Sequence, residues 1–116
     1  PGAPRAASEA DVEWLIEEQR AFMAEVGLPD PPARVLEQLP ARVRRGEYRI
    51  WDHGGSVAFA GFSDAAPDFA RIAPVYTPPE RRGRGYATSL VARMSSELLA
   101  RGKRRLFRQR SRWLRC

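Results

Sequence analysis

Apolar positions recur with a helical period near the start of the chain. Val12, Leu15, Ile16, Gln19, Met23 and Val26 share one face, with Gln19 its single polar break. Ser8-Glu9-Ala10-Asp11 just ahead resembles a capping box, in which the serine hydroxyl accepts a backbone N–H and Asp11 returns one. Gly27 suits the left-handed residue that closes a helix, and Pro29, Pro31 and Pro32 prevent continuation. A second, weaker helix is predicted over about Ala33 to Arg45, with Val35, Leu36, Leu39 and Val43 inward and Pro40 inside it.

From Glu47 the period changes to two. Tyr48-Arg49-Ile50-Trp51 reads as a strand, His53-Gly54-Gly55 as a tight turn, and Ser56 to Phe62 as the return strand. Ser63 to Asp68 reads as a loop. Phe69 to Thr77 is a further strand, and Pro74 within it implies an edge or a bulge, because proline donates nothing to a ladder. After Pro78-Pro79, the residues Ala87, Leu90, Val91, Met94 and Leu98 mark one face of an amphipathic helix ending at Gly102. A last strand is predicted at Arg105-Leu106-Phe107, beyond which neither period survives. The chain thus divides into 1–107, one small domain, and a basic, irregular tail over 108–116.

Composition narrows the classes of function. The 116 residues carry a net charge of +6, which by itself would point to nucleic acid. Its location says otherwise. Residues 101–116 hold eight of the twenty cations and none of the fourteen anions, so the first hundred residues are slightly acidic. Cys116, the single cysteine, excludes an internal disulfide. No apolar run has the length of a membrane span, and the start lacks a signal-peptide pattern. A cytoplasmic location is therefore expected, with no membrane partner and with nucleic acid a poor candidate.

The candidate chemistry lies between the third predicted strand and the long helix, in Arg81-Arg82-Gly83-Arg84-Gly85. Gly83 and Gly85 let the turn take unusual dihedral angles and bring its amides close to a ligand. The first amides of the following helix lack an internal acceptor and sit at the positive end of its dipole. Arg82 and Arg84 can add charge-assisted contacts to phosphate oxygens. A pyrophosphate is the expected guest. The loop offers neither the lysine nor the hydroxyl of a P-loop, and the third glycine of a dinucleotide fingerprint is absent.

Arg82-Gly83-Arg84-Gly85-Tyr86-Ala87 is similar to the Gln/Arg-x-x-Gly-x-Gly/Ala signature of the GNAT N-acetyltransferases, and Val75 to Glu80 resembles the lead-in strand of that family. The element order resembles the family from about Arg5 to Phe107. The resemblance implies an α/β fold: a mixed, mainly antiparallel sheet flanked by helices, cut short after the fifth strand. It also implies acetyl-CoA as co-substrate, held by the backbone from Arg82 to Ala87. The strand through Val75, Tyr76 and Thr77 would pair with the pantetheine arm. The bulge at Pro74 would aim backbone groups at the thioester carbonyl. The implied activity is acetyl transfer to an amine by direct attack, without a metal. The acceptor, the general base and the general acid stay unassigned.

The chain departs from the family after the fifth strand, where an acid-bearing helix and two further strands are expected. Acetyl-CoA recognition is accordingly better supported than turnover, and the open sheet edge offers a route to homo-oligomers. The alternatives are a non-catalytic acyl-CoA-binding remnant and a nucleic-acid contact through the basic tail. Other polar residues are read as structural. Tyr86 is a helix-start packing residue, Glu47, Asp52 and Glu80 are solvated carboxylates, and His53 has no companion ligand. Trp14, Trp51, Phe59 and Phe62 belong to the core or a sheet face.

Overall fold

A computed structural model of the chain describes residues 2–25, 27 and 36–108. Its centre is a five-stranded sheet in the order β1 (Ala3–Ala6), β2 (Tyr48–Asp52), β3 (Ser56–Ala66), β4 (Phe69–Tyr76), β5 (Arg105–Arg108). The first three pairings are antiparallel, and β4 with β5 is parallel. This is the mixed, mainly antiparallel sheet that the family resemblance implies. The helices described in full are α1 (Val12–Glu25), α2 (Leu39–Arg44) and α3 (Tyr86–Ala100).

The helices cover both faces, and the period of two sorts side chains between them. Ala58, Ala60 and Phe62 of β3 pack with Leu90, Val91, Met94 and Leu98 of α3. Phe59, between them in sequence, points the other way and joins Leu15 of α1, Leu39 and Val43 of α2, and Tyr48 and Ile50 of β2. Gly61 also belongs to this second face: a Cβ there would lie 3.2 Å from the Tyr48 ring, so the missing side chain makes room for the tyrosine.

The bulge anticipated at Pro74 is present. Phe62 pairs with Ile72 and Ala60 with Val75, so Ala73 and Pro74 together stand opposite Gly61. Without the extra residue, Ile72 and Val75 would face opposite sides. With it, both are buried against α3, while Tyr76 enters the α1 face.

Several boundaries depart from the sequence reading. Strand β3 runs on to Ala66, so most of the segment read as the loop 63–68 is ladder. Strand β1 was not foreseen. The four residues of Ala-Pro-Arg-Ala show no alternation, and their strand exists because β2 offers an edge, with Arg5 opposite Ile50. Within the second predicted helix, Leu36 and Glu37 are helical, Gln38 forms a turn, and a helix runs over Leu39–Arg44 with Pro40 in its first turn, where the missing N–H has no acceptor to lose. The expected start of that helix, over residues 33–35, lies outside the described residues, as does the tail from 109 onward. Asp11 does return a bond to the Ser8 amide, at 2.8 Å, but within a 3-10 turn (Glu9–Asp11) that precedes α1.

Helix α3 closes as its sequence indicates. Gly102 takes φ 102°, and the Lys103 amide reaches back to the Leu98 carbonyl at 3.1 Å. The basic run then fastens the sheet. The Arg104 and Arg105 amides both donate to the Asp68 carbonyl, at 2.8 and 3.0 Å. Lys103 pairs with Asp64 at 2.9 Å, and Arg101 and Arg105 pair with Glu97 and Asp68. Part of the positive charge concentrated in residues 101–116 is therefore met by acids of the body. No helix among the described residues is long and apolar enough to cross a membrane.

Candidate functional site

The end of β4, the loop after it and the first turn of α3 form one continuous surface feature. Val75, Tyr76 and Thr77 are buried at 0%, 1% and 2% exposure, so their side chains are committed to the fold. Val75 packs under α3 and Tyr76 against Phe59 and Phe22. The Thr77 hydroxyl is buried and has no hydrogen-bond partner among the described residues. A 3-10 turn follows (Pro79–Arg81), and the chain leaves it at Arg82 in extended conformation, φ −74° and ψ 161°.

The two glycines then set the loop. Gly83 has φ 83° and Gly85 φ 77°, both in the left-handed region that residues with a Cβ avoid. A Cβ at either position would meet nothing within 4 Å. Packing inside the chain therefore does not demand glycine here. The backbone angles do, and the space beside them stays open to solvent. Gly85 is the N-cap of α3, with no side-chain cap. The first intrahelical bond runs from the Ser89 amide to the Gly85 carbonyl at 2.9 Å. The amides of Tyr86 and Ala87, earlier in the turn, thus lack an acceptor within the helix. An uncapped helix N-terminus beside two open glycines is a cradle for an anion.

The residues expected at the site divide by role. Gly83 and Arg84 are exposed, and Gly85 is half-buried. Tyr86 and Ala87 are buried, with Tyr86 in the α3 core and tilted against His53, ring centroids 6.0 Å apart. Its packing role was the one read from sequence. Arg82 behaves differently from the expectation that its guanidinium would face a phosphate. Its Nε donates to the Thr77 carbonyl at 2.8 Å and its Nη2 to Glu25 Oε1 at 2.7 Å. The guanidinium also lies 5.4 Å from the centre of the Tyr76 ring. The side chain turns back into the fold, away from the open side of the loop. Its amide is engaged too, with the Pro79 carbonyl at 3.3 Å.

Glu25 was not singled out in the sequence. It accepts from Arg82 and also from the Tyr76 hydroxyl at 3.2 Å. Burial first, and the neighbouring Glu25 charge second, push the Tyr76 phenol up to about 12. Glu18, also on α1, is raised by burial and by the charges of Glu80 and Glu17. The carboxylates read as solvated are not all free: Glu47 accepts from Arg42 at 2.7 Å and Arg45 at 2.8 Å. Burial pushes Glu47 up, but those two arginines outweigh it and leave it below the usual range.

Residues 11–111 match the family model described as Acetyltransferase (GNAT) family. No curated protein sequence matches the chain. Solved structures resemble it in fold. N-acetylglutamate synthase from Neisseria gonorrhoeae, complexed with coenzyme A and N-acetyl-glutamate, is 23% identical at a TM-score of 0.75, over 91% of this chain and 24% of that one. A predicted acetyltransferase from Clostridium acetobutylicum, solved with acetyl-CoA, is 20% identical at 0.74, over 99% of this chain and 84% of that one. A Mycobacterium tuberculosis protein in complex with CoA is 19% identical at 0.74, over 91% and 63%.

Proposed function

The chain belongs to the GNAT acetyltransferase family, and from that premise we propose that it binds acetyl-CoA at the loop 82–87 and transfers the acetyl group to a primary amine. The observation that carries the reading is the open, positive-φ pair Gly83 and Gly85 in front of an uncapped helix N-terminus. The amides from Gly83 to Ala87 would hold the pyrophosphate, with the exposed Arg84 the side chain able to add charge. The backbone at Val75 and Thr77 would pair with the pantetheine arm, and the bulge at Ala73-Pro74 would turn backbone groups toward the thioester carbonyl.

Bound there, the thioester supplies an activated acyl carbon. The neutral amine attacks it, the C–S bond breaks, and coenzyme A leaves as thiolate or, once protonated, as thiol. The acceptor amine loses one proton in the process. Fixed backbone dipoles stabilise the oxyanion that forms on the carbonyl oxygen.

Calorimetric titration with acetyl-CoA and with an oligonucleotide, each at two salt concentrations, tests the proposal. We expect acetyl-CoA to bind at both and the oligonucleotide at neither. Oligonucleotide binding that collapses with salt, without any acetyl-CoA binding, would replace this reading by a basic nucleic-acid contact. Thiol release in the presence of candidate amines then separates a transferase from a binding remnant.

A further inference from the structure

Glu25 and Arg82 lie 57 positions apart in sequence and meet at the edge of the candidate site. The pair is bidentate, with Nη2 to Oε1 at 2.7 Å and Nη1 to Oε2 at 2.5 Å, and each side chain is 22% exposed. Arg82 also grips the Thr77 carbonyl, and Tyr76 donates its hydroxyl to the same Glu25 oxygen that Arg82 Nη2 reaches. One guanidinium therefore joins the last residue of α1, the end of β4 and the last residue before Gly83.

The position matters because, among the described residues, the two glycines at the heart of the loop bring no side-chain contact to hold it. Gly83 and Gly85 carry no side chain, would meet nothing if they did, and pay the largest entropy cost of any residue to be fixed. Their shape must be imposed from the ends. At the far end α3 is anchored by the buried Tyr86 and Ala87. At the near end the anchor is the Arg82 side chain. We infer that Glu25 and Arg82 form a latch through which α1 positions the loop, so that Glu25 is a positioning residue for the donor site without touching the donor. The latch stands on geometry alone; its consequence for acetyl-CoA rests on the function proposed above.

The pair should act as one unit. Arg82→Lys keeps the charge but loses the planar fork that reaches Thr77 and both Glu25 oxygens, so it is not a conservative change here. Glu25→Gln keeps the size and loses the charge. We would measure NMR order parameters at Gly83, Arg84 and Gly85 in the unliganded protein, together with acetyl-CoA affinity, for both variants and for the double variant. In each single variant the order parameters should fall from about 0.85 toward 0.6, with those of β2 unchanged. Acetyl-CoA affinity should fall about three- to tenfold, and the double variant should be no worse than the poorer single, because both remove one contact.

Unchanged loop order in both single variants, an equal loss of order throughout the sheet, or additive losses in the double variant would overturn the latch. Tyr76→Phe, which keeps the ring and deletes one hydrogen bond, guards against a variant that fails to fold and should loosen the loop measurably but less. Loop order that falls as expected in a protein that never binds acetyl-CoA would uphold the latch and remove the donor reading instead.

Discussion

Arg5 and Arg82 sit in clusters of nearly the same composition, and only one of them borders a candidate site. Arg5 donates twice to Asp11, at 2.8 and 3.0 Å, once to Asp52 at 3.0 Å and once to the Ser56 hydroxyl at 3.2 Å. Its partners lie on the 3-10 turn, on β2 and at the start of β3. Arg82 likewise spends its guanidinium on a carboxylate and a neighbouring oxygen. The difference lies in what comes next along the chain. After Arg5 come the last residue of β1 and the turn Glu9–Asp11 that leads into α1; after Arg82 come two glycines with empty space beside them and a helix that no side chain caps. Saturation of the guanidinium is thus common to both clusters, and what sets the second apart is the open backbone that follows it.

The strongest way to break that contrast is to remove Arg5. Arg5→Gln leaves Asp11, whose side chain is 12% exposed, without its main partner. Stranding one member of a part-buried pair costs about 2–3 kcal/mol, somewhat less than in a dry interior. Denaturant unfolding should show that loss, while acetyl-CoA affinity of the folded protein stays within about twofold, inside the 1.4 kcal/mol that a tenfold change represents. An affinity loss near tenfold would mean that the two clusters are coupled and that the contrast is false.

Gly85→Val attacks the other side. A β-branched residue at φ 77° is strained by about 1–2 kcal/mol and also fills the approach to the helix amides. Acetyl-CoA affinity should drop by at least about tenfold, or 1.4 kcal/mol. Gly54, at φ 70° in the β2–β3 turn and equally free of neighbours, is the control. Gly54→Val should carry a similar strain with no change in affinity. If Gly85→Val binds acetyl-CoA as the parent does, the cradle is misplaced.

The same contrast explains what could be read from the sequence. The glycines, the α3 stripe from Ala87 to Leu98 and the bulge at Pro74 are local signals, each fixed by a backbone requirement or a short period. Their positions were legible. Strand β1 was not, since Ala3–Ala6 has no pattern of its own and depends on the β2 edge. The ladder through Ser63 to Ala66 was missed because its small residues, just ahead of Pro67, resemble a loop and are held by pairing with β4. Glu25 was invisible for a stronger reason: its partner is 57 residues away, and nothing near Glu25 marks it as paired. The inward turn of Arg82 follows from that contact and could not be anticipated without it. Gln19 was noticed as a polar break on an apolar face, and the break has a reason: the buried Tyr48 hydroxyl donates to it at 3.0 Å.

A titration sharpens the comparison more gently. The hydrogen bonds from Arg5 hold the Asp11 carboxyl down at about 2, against 3.8 ordinarily, with burial opposing them and the Ser8 amide assisting. A depressed carboxyl stabilises the fold above its unfolded value and loses that contribution as pH falls from about 4 to about 2. Solvent screening reduces the effect to about 1 kcal/mol. Stability should therefore decline over that window in the parent and decline less in Asp11→Asn, which lacks the titrating group. Equal slopes in the two proteins would mean that Asp11 is not held down by Arg5.

The smallest effect is expected from removing residues 109–116, and it tests whether the donor site is complete without them. Those residues hold Arg110, Arg112 and Arg115, three of the eight cations in the last sixteen positions. If phosphate binding drew on bulk positive charge, losing three cations would weaken it sharply and flatten its salt dependence. Capture by open backbone behaves differently. The groups proposed to hold the pyrophosphate are amides between Gly83 and Ala87, set by backbone angles, and their short-range hydrogen bonds are screened by salt far less than bulk charge is. The charges of Lys103 and Arg105, which precede the deleted segment, are already met by Asp64 and Asp68. Acetyl-CoA affinity after the deletion should thus stay within about threefold, under 1 kcal/mol, with its salt dependence unchanged. A larger loss, recovered at low salt, would place some of those arginines on the cofactor and make charge, rather than open backbone, the feature that distinguishes this end of the molecule.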